Sequence, residues 1–223
     1  MRLLPILALA ACGGPEPLPE DTDTQPLALE GASYELLTGG LAIPAADDGL
    51  DDVLRLFFTR TVLLGISDFS DTAMTVRIGF GVDDADPIEQ DPCTPTVDLP
   101  PADLTGTTFE IGPADTTFQG ATTEYSIGQM HVAGEVTGDG AQLSDIVLDG
   151  IVDLRQAAAF GTFGDADTLC STMGSFSLAF AACADGPEYC VTLSITGLGA
   201  NRIEGLEMVS IDEPASTCPT TPP

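Results

Sequence analysis

Apolar and polar residues alternate with a period of two along much of this chain. In the run Ala73–Val82 the even positions are all apolar and the odd positions are polar or small. Period two places successive side chains on opposite faces of a β-strand. The run Val53–Ile66 alternates in the same way, and a mostly polar stretch at 67–71 separates the two runs, so we predict a β-hairpin. A helix beginning near Leu50 is the alternative, which the aromatic and β-branched residues at 57–62 disfavour.

A second hairpin is predicted by the runs Gln129–Val136 and Leu143–Leu154, which flank the turn sequence Thr137-Gly-Asp-Gly140. Two segments that interrupt the alternation, 156–160 and 165–173, are predicted short helices, the second with Asp165 as its N-cap. About ten strands with frequent turns indicate an all-β protein. We expect an antiparallel β-sandwich, with a β-barrel as the alternative. The shorter predicted strands are 107–111, 124–127, 175–182, 189–195 and 203–211.

The N-terminus follows a different pattern. Met1-Arg2 precedes an apolar run, Leu3–Ala11, which is typical of a secretory signal peptide and too short to span a membrane. The run ends in Leu9-Ala10-Ala11-Cys12, which resembles the lipobox of bacterial lipoproteins. That resemblance implies cleavage before Cys12 and lipidation of its sulfur, so that acyl chains anchor the protein in the lipid bilayer. By analogy with enterobacterial lipoproteins, Gly13 after the cysteine implies the outer membrane.

The composition divides the chain into four segments. Residues 1–11 form the predicted signal peptide, and residues 12–30 form an acidic tether rich in proline. Proline stiffness and charge repulsion extend such a segment to about 3.1 Å per residue. Residues 31–212 form one β domain, which is long enough to bury a core without disulfides. Residues 213–223 are a tail of proline and threonine.

The charge is large and one-sided. The chain has 35 acidic residues, six arginines, no lysine and a formal net charge of −29. Such a surface repels nucleic acid phosphates, so we exclude nucleic acid as a partner. It suits cations or basic partners, although an acid-biased proteome or a salty habitat is the simpler explanation. Beyond the bilayer, the sequence leaves open which protein or small molecule is the partner.

Five cysteines remain besides the lipidated Cys12, and an exported protein is in a compartment where disulfides form. Strand parity places Cys183 and Cys190 on the same outward face, at the mouth of one hairpin. Residues in that relation have the Cβ geometry that a disulfide needs. We therefore predict a Cys183–Cys190 bond.

The second predicted disulfide is Cys93–Cys218. Cys218 lies in a tail with no apolar reason to pack on the domain, so its simplest role is that of a staple. Cys170 lies in an apolar helical segment, where a buried thiol is an ordinary occupant, and is then the free cysteine. The rival pairing is Cys93–Cys170, with Cys218 left free.

No motif of an established catalytic centre is present: the chain lacks a Gly-x-Ser-x-Gly elbow, a glycine-rich phosphate loop and a His-Glu-x-x-His sequence. The single histidine, His131, falls on the polar face of its strand, so we predict that it is solvent-exposed and assign no catalytic residue. We expect no cofactor. A weak candidate calcium site is one acidic cluster of hard oxygen ligands, although the glycine of an EF-hand loop is missing. Its members are Asp83, Asp84, Asp86, Glu89 and Asp91.

Three functions are consistent with these features. We favour a non-catalytic envelope lipoprotein with a structural or binding β domain. The alternatives are a carrier that holds an apolar ligand in a barrel and a hydrolase that uses two carboxylates. A filled interior favours the non-catalytic lipoprotein, and an apolar cavity above about 300 Å³ favours the carrier. A cleft that contains two acids of raised pKa favours the hydrolase. The stretch from Asp165 to Cys190 is similar to uncharacterised bacterial lipoproteins, from which no activity carries over.

Overall fold

Eight antiparallel strands close into a barrel in which the first strand pairs with the last. The computed structural model describes residues 29–44, 60–119, 124–160, 165–216 and 218. The elements are β1 Ser33–Leu37, β2 Val62–Phe69, β3 Ala73–Phe80, β4 Val97–Asp98, β5 Ala102–Thr105, β6 Thr108–Gln119, β7 Glu124–Thr137, β8 Gln142–Asp153, α1 Leu154–Phe160, α2 Ala166–Gly174, β9 Phe180–Ala181 and β10 Cys190–Arg202. The ring order is β1-β2-β3-β5-β6-β7-β8-β10, and the two extra strands, β4 and β9, pair with β3 and β10.

β1 closes the barrel because it is paired along both of its edges. Tyr34 lies opposite Leu64 of β2 on one side and opposite Arg202 of β10 on the other. The all-β class, about ten strands and short helices confirm the sequence prediction, but the architecture is the barrel given as the alternative and not the preferred sandwich. The alternation of side chains is the same in both architectures, so it does not show that the first and last strands meet.

One wall of the barrel is made by an interrupted strand. β4 pairs with the second half of β3 and β5 with the first half, and Pro100-Pro101 lie between them. Proline has no N–H to donate to a neighbouring strand, so regular pairing stops at these two residues. Leu99, just before them, still donates its N–H to the carbonyl of Val76 at 2.8 Å. β4 and β5 therefore cover β3 together.

The connections differ between the two ends of the barrel. At one end, called the short-turn end below, residues 70–72, 106–107 and 138–141 join successive strands. At the opposite end, the long-loop end, residues 81–96 join β3 to β4 and residues 154–189 lead from β8 to β10. The second of these connections contains both helices and β9, so most of the described irregular structure lies at the long-loop end.

Apolar side chains fill the interior of the barrel and form one continuous cluster. The helices close it at the long-loop end, where Leu154 and Ala158 of α1 and Leu169 and Met173 of α2 are buried in the same cluster. Burying one large apolar side chain contributes roughly 1.5–3 kcal/mol, so this cluster is the main source of stability. Three of the long strands, β7, β8 and β10, supply Met130, Val132, Val136, Leu143, Ile146, Val191, Leu193 and Ile195.

Tyr34 closes the short-turn end from inside. The side chain is fully buried, and its hydroxyl donates to the carbonyl of Gly140 at 2.9 Å. Burial raises the pKa of the Tyr34 hydroxyl, which therefore stays a donor at neutral pH. Gly140 has a φ of +89°, and a Cβ there would lie 2.7 Å from Cδ2 of Leu29. The turn therefore requires glycine at this position.

Several predicted strands are wrong in extent. The predicted strand 107–111 is only the first part of β6, and the predicted strands 124–127 and 129–136 are one strand, β7. Residues 203–211 are not a strand, because their hydrogen bonds go to loops and side chains rather than to a ladder, and β10 ends at Arg202. Residues 175–182 contain only the two-residue β9. The N-terminal part of the first predicted strand, residues 53–59, lies outside the described residues, as does the helix alternative near Leu50. The second helix is confirmed, and its N-cap Asp165 accepts from the N–H of Thr168 at 2.8 Å.

Candidate functional site

The C-terminal segment, residues 203–216 and 218, runs along the outside of the barrel from the short-turn end to the long-loop end. At its start, the N–H of Ile203 donates to the carbonyl of Ser33 at 2.8 Å. At its far end, Cys218 is bonded to Cys93 in the loop between β3 and β4. The segment is therefore attached to the barrel at both ends.

Two side chains of the β3–β4 loop satisfy the backbone in the middle of the C-terminal segment. The side-chain amide of Gln90 accepts from the N–H of Val209 and donates to its carbonyl, both at 2.9 Å. Thr96 accepts from the N–H of Ile211 through Oγ1 at 3.0 Å and donates its own N–H to the carbonyl of Ile211 at 2.9 Å. An extended segment thus has hydrogen-bond partners without a neighbouring strand.

Met208 packs the C-terminal segment onto the barrel wall. Met208 is 8% exposed and lies over Gly65 of β2 and Gly79 of β3. A Cβ at Gly65 would lie 2.9 Å from Cβ of Met208, and a Cβ at Gly79 would lie 2.7 Å from its Cε. Two glycines on neighbouring strands therefore leave a slot that the thioether side chain fills.

The acidic residues of the calcium candidate do not converge on one point. These residues are Asp83, Asp84, Asp86, Glu89 and Asp91. Within the described ranges no three of them place ligand oxygens within 4.8 Å of one another. Asp91 instead accepts from Arg60 at 2.6 Å, from the hydroxyl of Thr94 at 2.7 Å and from the N–H of Cys93 at 2.8 Å. Burial opposes its ionisation, but these hydrogen bonds outweigh burial and hold the pKa of Asp91 below its usual value.

His131 lies between two carboxylates on the outer surface of the barrel. Its Nε2 is 2.9 Å from Oε1 of Glu110 on β6, and its Nδ1 is 3.6 Å from Oδ2 of Asp149 on β8. The imidazole is 26% exposed, less than a freely solvated histidine. In the part of the chain that the structure describes, no hydroxyl or thiol hydrogen-bonds the imidazole, so the arrangement is not the nucleophile–base pair of a hydrolase.

Arg155, at the start of α1, joins three elements of the long-loop end. It donates to Asp153 at the end of β8 at 2.9 Å and to Asp185 before β10 at 2.8 Å, and it lies 5.6 Å from the ring centre of Tyr189. Tyr189 in turn donates to Asp167 of α2 at 2.7 Å. Hydrogen bonds from Arg155 lower the pKa of Asp153 and Asp185, and the bond to Asp167 raises the pKa of Tyr189. These groups keep their ordinary charge at neutral pH, so the Arg155 network is a structural clamp.

Both predicted disulfides are present. The bonds are Cys93–Cys218, with 5.4 Å between the Cα atoms, and Cys183–Cys190, with 5.0 Å. Of the five cysteines that the structure describes, Cys170 is the free thiol. Burial raises the pKa of Cys170, so it is a neutral thiol and a poor nucleophile at neutral pH. The proposed lipidation site, Cys12, lies outside the described residues.

A second potential metal-ligand group lies at the Cys183–Cys190 disulfide. One oxygen of Asp153 and the sulfurs of Cys183 and Cys190 lie within 4.8 Å of one another. A metal ion binds cysteine as the thiolate, and both sulfurs are already joined in the disulfide. This group is therefore not a metal site in the oxidised protein.

Two cavities lie at the surface of the barrel. A groove of about 620 Å³ lies where β1, β8 and β10 meet, and Glu35, Asp145 and Gly197 are among its lining residues. A smaller cavity of about 330 Å³ is lined in part by Arg202 and Glu207, beside the C-terminal segment. Most residues of both linings are exposed or half-buried, so neither cavity is an enclosed apolar space inside the barrel.

Comparison with known protein families, with curated proteins and with solved structures finds no match to this chain. Among the described residues, no helix combines the length and the apolar character needed to cross a membrane.

The partners of Arg155 and His131 were not predicted from the sequence. Asp153 is two residues from Arg155 and could have been recognised as its partner, but Asp185 is distant in sequence. Glu110 lies close to His131 only because β6 pairs with β7. Alternation gives the face on which a side chain lies, but it does not give the register that brings two strands into contact.

Proposed function

We propose that this protein is a lipid-anchored envelope lipoprotein whose barrel is a structural or binding module and not an enzyme. The observation that supports the role of the barrel is its filled interior. Met74, Ile111 and Met130, on three different strands, are each no more than 1% exposed and belong to the central cluster. A carrier keeps such a space open for its ligand. The carrier alternative is therefore disfavoured.

The pKa shifts argue against the hydrolase alternative. A glycoside hydrolase needs one carboxyl group of raised pKa beside an ionised one. Among the described residues, the carboxyl groups whose pKa shifts clearly are all shifted downward, and they are Asp91, Asp153, Asp165 and Asp185. Carboxyl groups of this kind remain ionised at neutral pH and do not deliver a proton. Their hydrogen bonds hold loops and a helix end in place.

The proposed anchor depends on the sequence Leu9–Cys12, and the position of Leu29 supports one orientation of the barrel on the bilayer. Leu29 is fully buried, and its side chain lies next to Gly140 at the short-turn end. A tether from Cys12 thus joins the barrel at this end, so the long-loop end faces away from the bilayer. A partner that approaches from the aqueous side then meets the acidic β3–β4 loop and the Arg155 network first.

The anchor is tested by Cys12→Ser, with Cys170→Ser as the matched control because Cys170 is the free thiol among the described cysteines. Each buried CH₂ of an acyl chain contributes about 0.8 kcal/mol to membrane binding. We expect Cys12→Ser to leave the membrane fraction and the detergent phase, and Cys170→Ser to remain in both. Wild-type partitioning of Cys12→Ser would rule out the anchor.

The filled interior is tested separately with Nile red, an uncharged apolar dye that the negative surface does not repel. We expect the folded protein to produce no saturable rise in dye fluorescence, because the barrel offers no cavity for the dye. Saturable binding of one dye molecule per chain would restore the carrier alternative.

A further inference from the structure

We propose that Glu110 and His131 bind a divalent transition-metal ion, with Zn²⁺ as the representative, on the outer face of the barrel. Asp149 orients the imidazole in this site, and Asp103 supplies a further carboxylate. The site lies on the neighbouring strands β5, β6, β7 and β8, and it is independent of the anchor and of the two cavities.

The separation of the two contacting atoms is close to that of two ligands of one ion. Nε2 of His131 and Oε1 of Glu110 are 2.9 Å apart, at hydrogen-bond distance. Zinc–nitrogen and zinc–oxygen bonds are about 2.0–2.2 Å long, and tetrahedral ligands lie about 3.4 Å apart, so a shift of about 0.5 Å in Glu110 admits the ion. The side chain of Glu110 is 64% exposed. An ion therefore reaches the pair from solvent without any change in the core.

Asp149 provides the outer support that metal-bound histidines have. It lies directly opposite His131 in the β7–β8 ladder, with its Oδ2 3.6 Å from Nδ1. When the ion takes Nε2, the proton of the neutral imidazole resides on Nδ1, and a shift of about 0.6 Å brings it into hydrogen-bond distance of Asp149. A carboxylate on the second nitrogen fixes the tautomer and the ring orientation of a metal-bound histidine.

Asp103 is placed to complete the coordination. It lies directly opposite Glu110 in the β5–β6 ladder and is exposed on the same outer face. Side chains in that relation have Cβ atoms about 4.5–5.5 Å apart. Its carboxylate is not yet within 4.8 Å of both Glu110 and His131, so it reaches the ion by rotation of the side chain. Water completes the coordination sphere.

The imidazole determines which ions the site prefers. Histidine nitrogen suits Zn²⁺, Cu²⁺ and Ni²⁺, whereas Ca²⁺ and Mg²⁺ take oxygen ligands. The net charge of −29 attracts every divalent cation to the surface, so bulk binding does not identify the site. Because the chain has one histidine, a signal from its ring reports on this site alone.

The experiment is a titration of the ¹⁵N-labelled full chain with Zn²⁺, followed by long-range ¹H–¹⁵N correlation of the imidazole. We expect the Nε2 signal to move to the metal-bound position while Nδ1 becomes the protonated nitrogen. The same concentration of Ca²⁺ leaves the ring signals unchanged. Ring signals that Zn²⁺ does not move would overturn the proposal.

Three variants separate the site from the diffuse acidic surface. Glu110→Gln and Asp149→Asn should each weaken Zn²⁺ binding by about tenfold or more. Glu135→Gln removes the same charge from β7, the strand that carries His131, but Glu135 contacts Thr107 and lies outside the site. The Zn²⁺ affinity of this variant should therefore stay close to that of wild type. Equal weakening by Glu110→Gln and Glu135→Gln would mean general electrostatic attraction and no site. Circular dichroism of each variant checks that the barrel is folded.

Discussion

Met208 and Gly79 are in direct contact through the end of the methionine side chain: a Cβ on Gly79 would lie 2.7 Å from Cε of Met208. Gly65, on the neighbouring strand, faces the Cβ of the same methionine: a Cβ on Gly65 would lie 2.9 Å from Cβ of Met208. One glycine therefore faces the movable end of the side chain, and the other faces the atom fixed to the backbone. This difference makes the two contacts separable by mutation.

Gly65→Ala should destabilise the protein more than Gly79→Ala, within a range of about 1–3 kcal/mol. In the background Met208→Ala, the effect of Gly79→Ala should largely disappear because the Cε is gone. The effect of Gly65→Ala should persist because alanine retains the Cβ. Urea unfolding of the single and double variants measures both coupling energies.

Gly39→Ala is the control for these glycine variants, since a Cβ there has no atom within 4 Å and its φ is not positive. Its stability should match that of wild type. The slot would be an incorrect description if Gly79→Ala were equally destabilising with methionine and with alanine at position 208.

The two disulfides should differ in their effect on stability. The bond Cys93–Cys218 spans a sequence separation of 125 and Cys183–Cys190 one of 7. The chain-entropy account gives about 4.9 kcal/mol for the long loop and about 2.5 kcal/mol for the short one. We expect the double serine variant of the first pair to unfold at lower urea concentration than that of the second. The reverse order would show that strain or residual structure dominates.

Arg155→Gln should change how the free energy of unfolding depends on pH in the acid range. Asp153 and Asp185 have lowered pKa values in the folded protein because Arg155 donates to them. A carboxyl group with a lowered pKa stabilises the fold when the pH is above its pKa in the unfolded chain, about 3.9. This stabilisation is lost as the pH falls through the pKa in the folded protein. The stability difference between wild type and Arg155→Gln is therefore largest at neutral pH and shrinks below about pH 4.

The matched variant is Arg202→Gln, because Arg202 forms no ion pair within the described residues. Its stability difference from wild type should stay constant across the acid range. A difference for Arg155→Gln that also stayed constant from pH 7 to pH 3 would contradict the assigned role of the carboxylates.

The orientation on the bilayer is tested with one label at each end of the barrel. Asp71→Cys places a fluorophore at the short-turn end and Glu188→Cys at the long-loop end, and each removes one exposed carboxylate. Both variants are made in the Cys170→Ser background. Each is lipidated, labelled and reconstituted into vesicles that contain a quenching lipid. We expect stronger quenching at position 71, and Cys12→Ser should abolish quenching at both. Equal quenching with the anchor intact would contradict the orientation.

The alternation of side chains was sufficient to locate the long strands but not to give their arrangement, and it gave only the first parts of β6 and β10. Met74 and Val76 in β3, and Met130 and Val132 in β7, are buried as their parity requires. The pairing of β1 with β10 is a relation between distant strands, and no local pattern contains it. The short β1 itself was not singled out as a strand.

The C-terminal segment shows why a correct pattern can predict the wrong element. Residues 203–211 carry alternating apolar residues because Met208 faces the barrel wall while Val209 is 60% exposed. The periodicity is that of an extended chain, but Gln90 and Thr96 serve as its partners in place of a strand. The disulfide prediction succeeded for a different reason, since a cysteine in a segment without a core has few other uses. The Glu110–His131 contact depends on strand register, which the sequence does not provide.

The pairing of β1 with β10 also determines when the molecule can fold. One edge of β1 has no partner until Arg202 has left the ribosome. Until then, an unpaired edge and an uncovered apolar interior are available to other chains. Contacts between residues far apart in sequence also form slowly. A barrel closed by its first and last strands cannot close while only its N-terminal half has been made, so the chain depends on being kept unfolded and unaggregated until β10 has been synthesised.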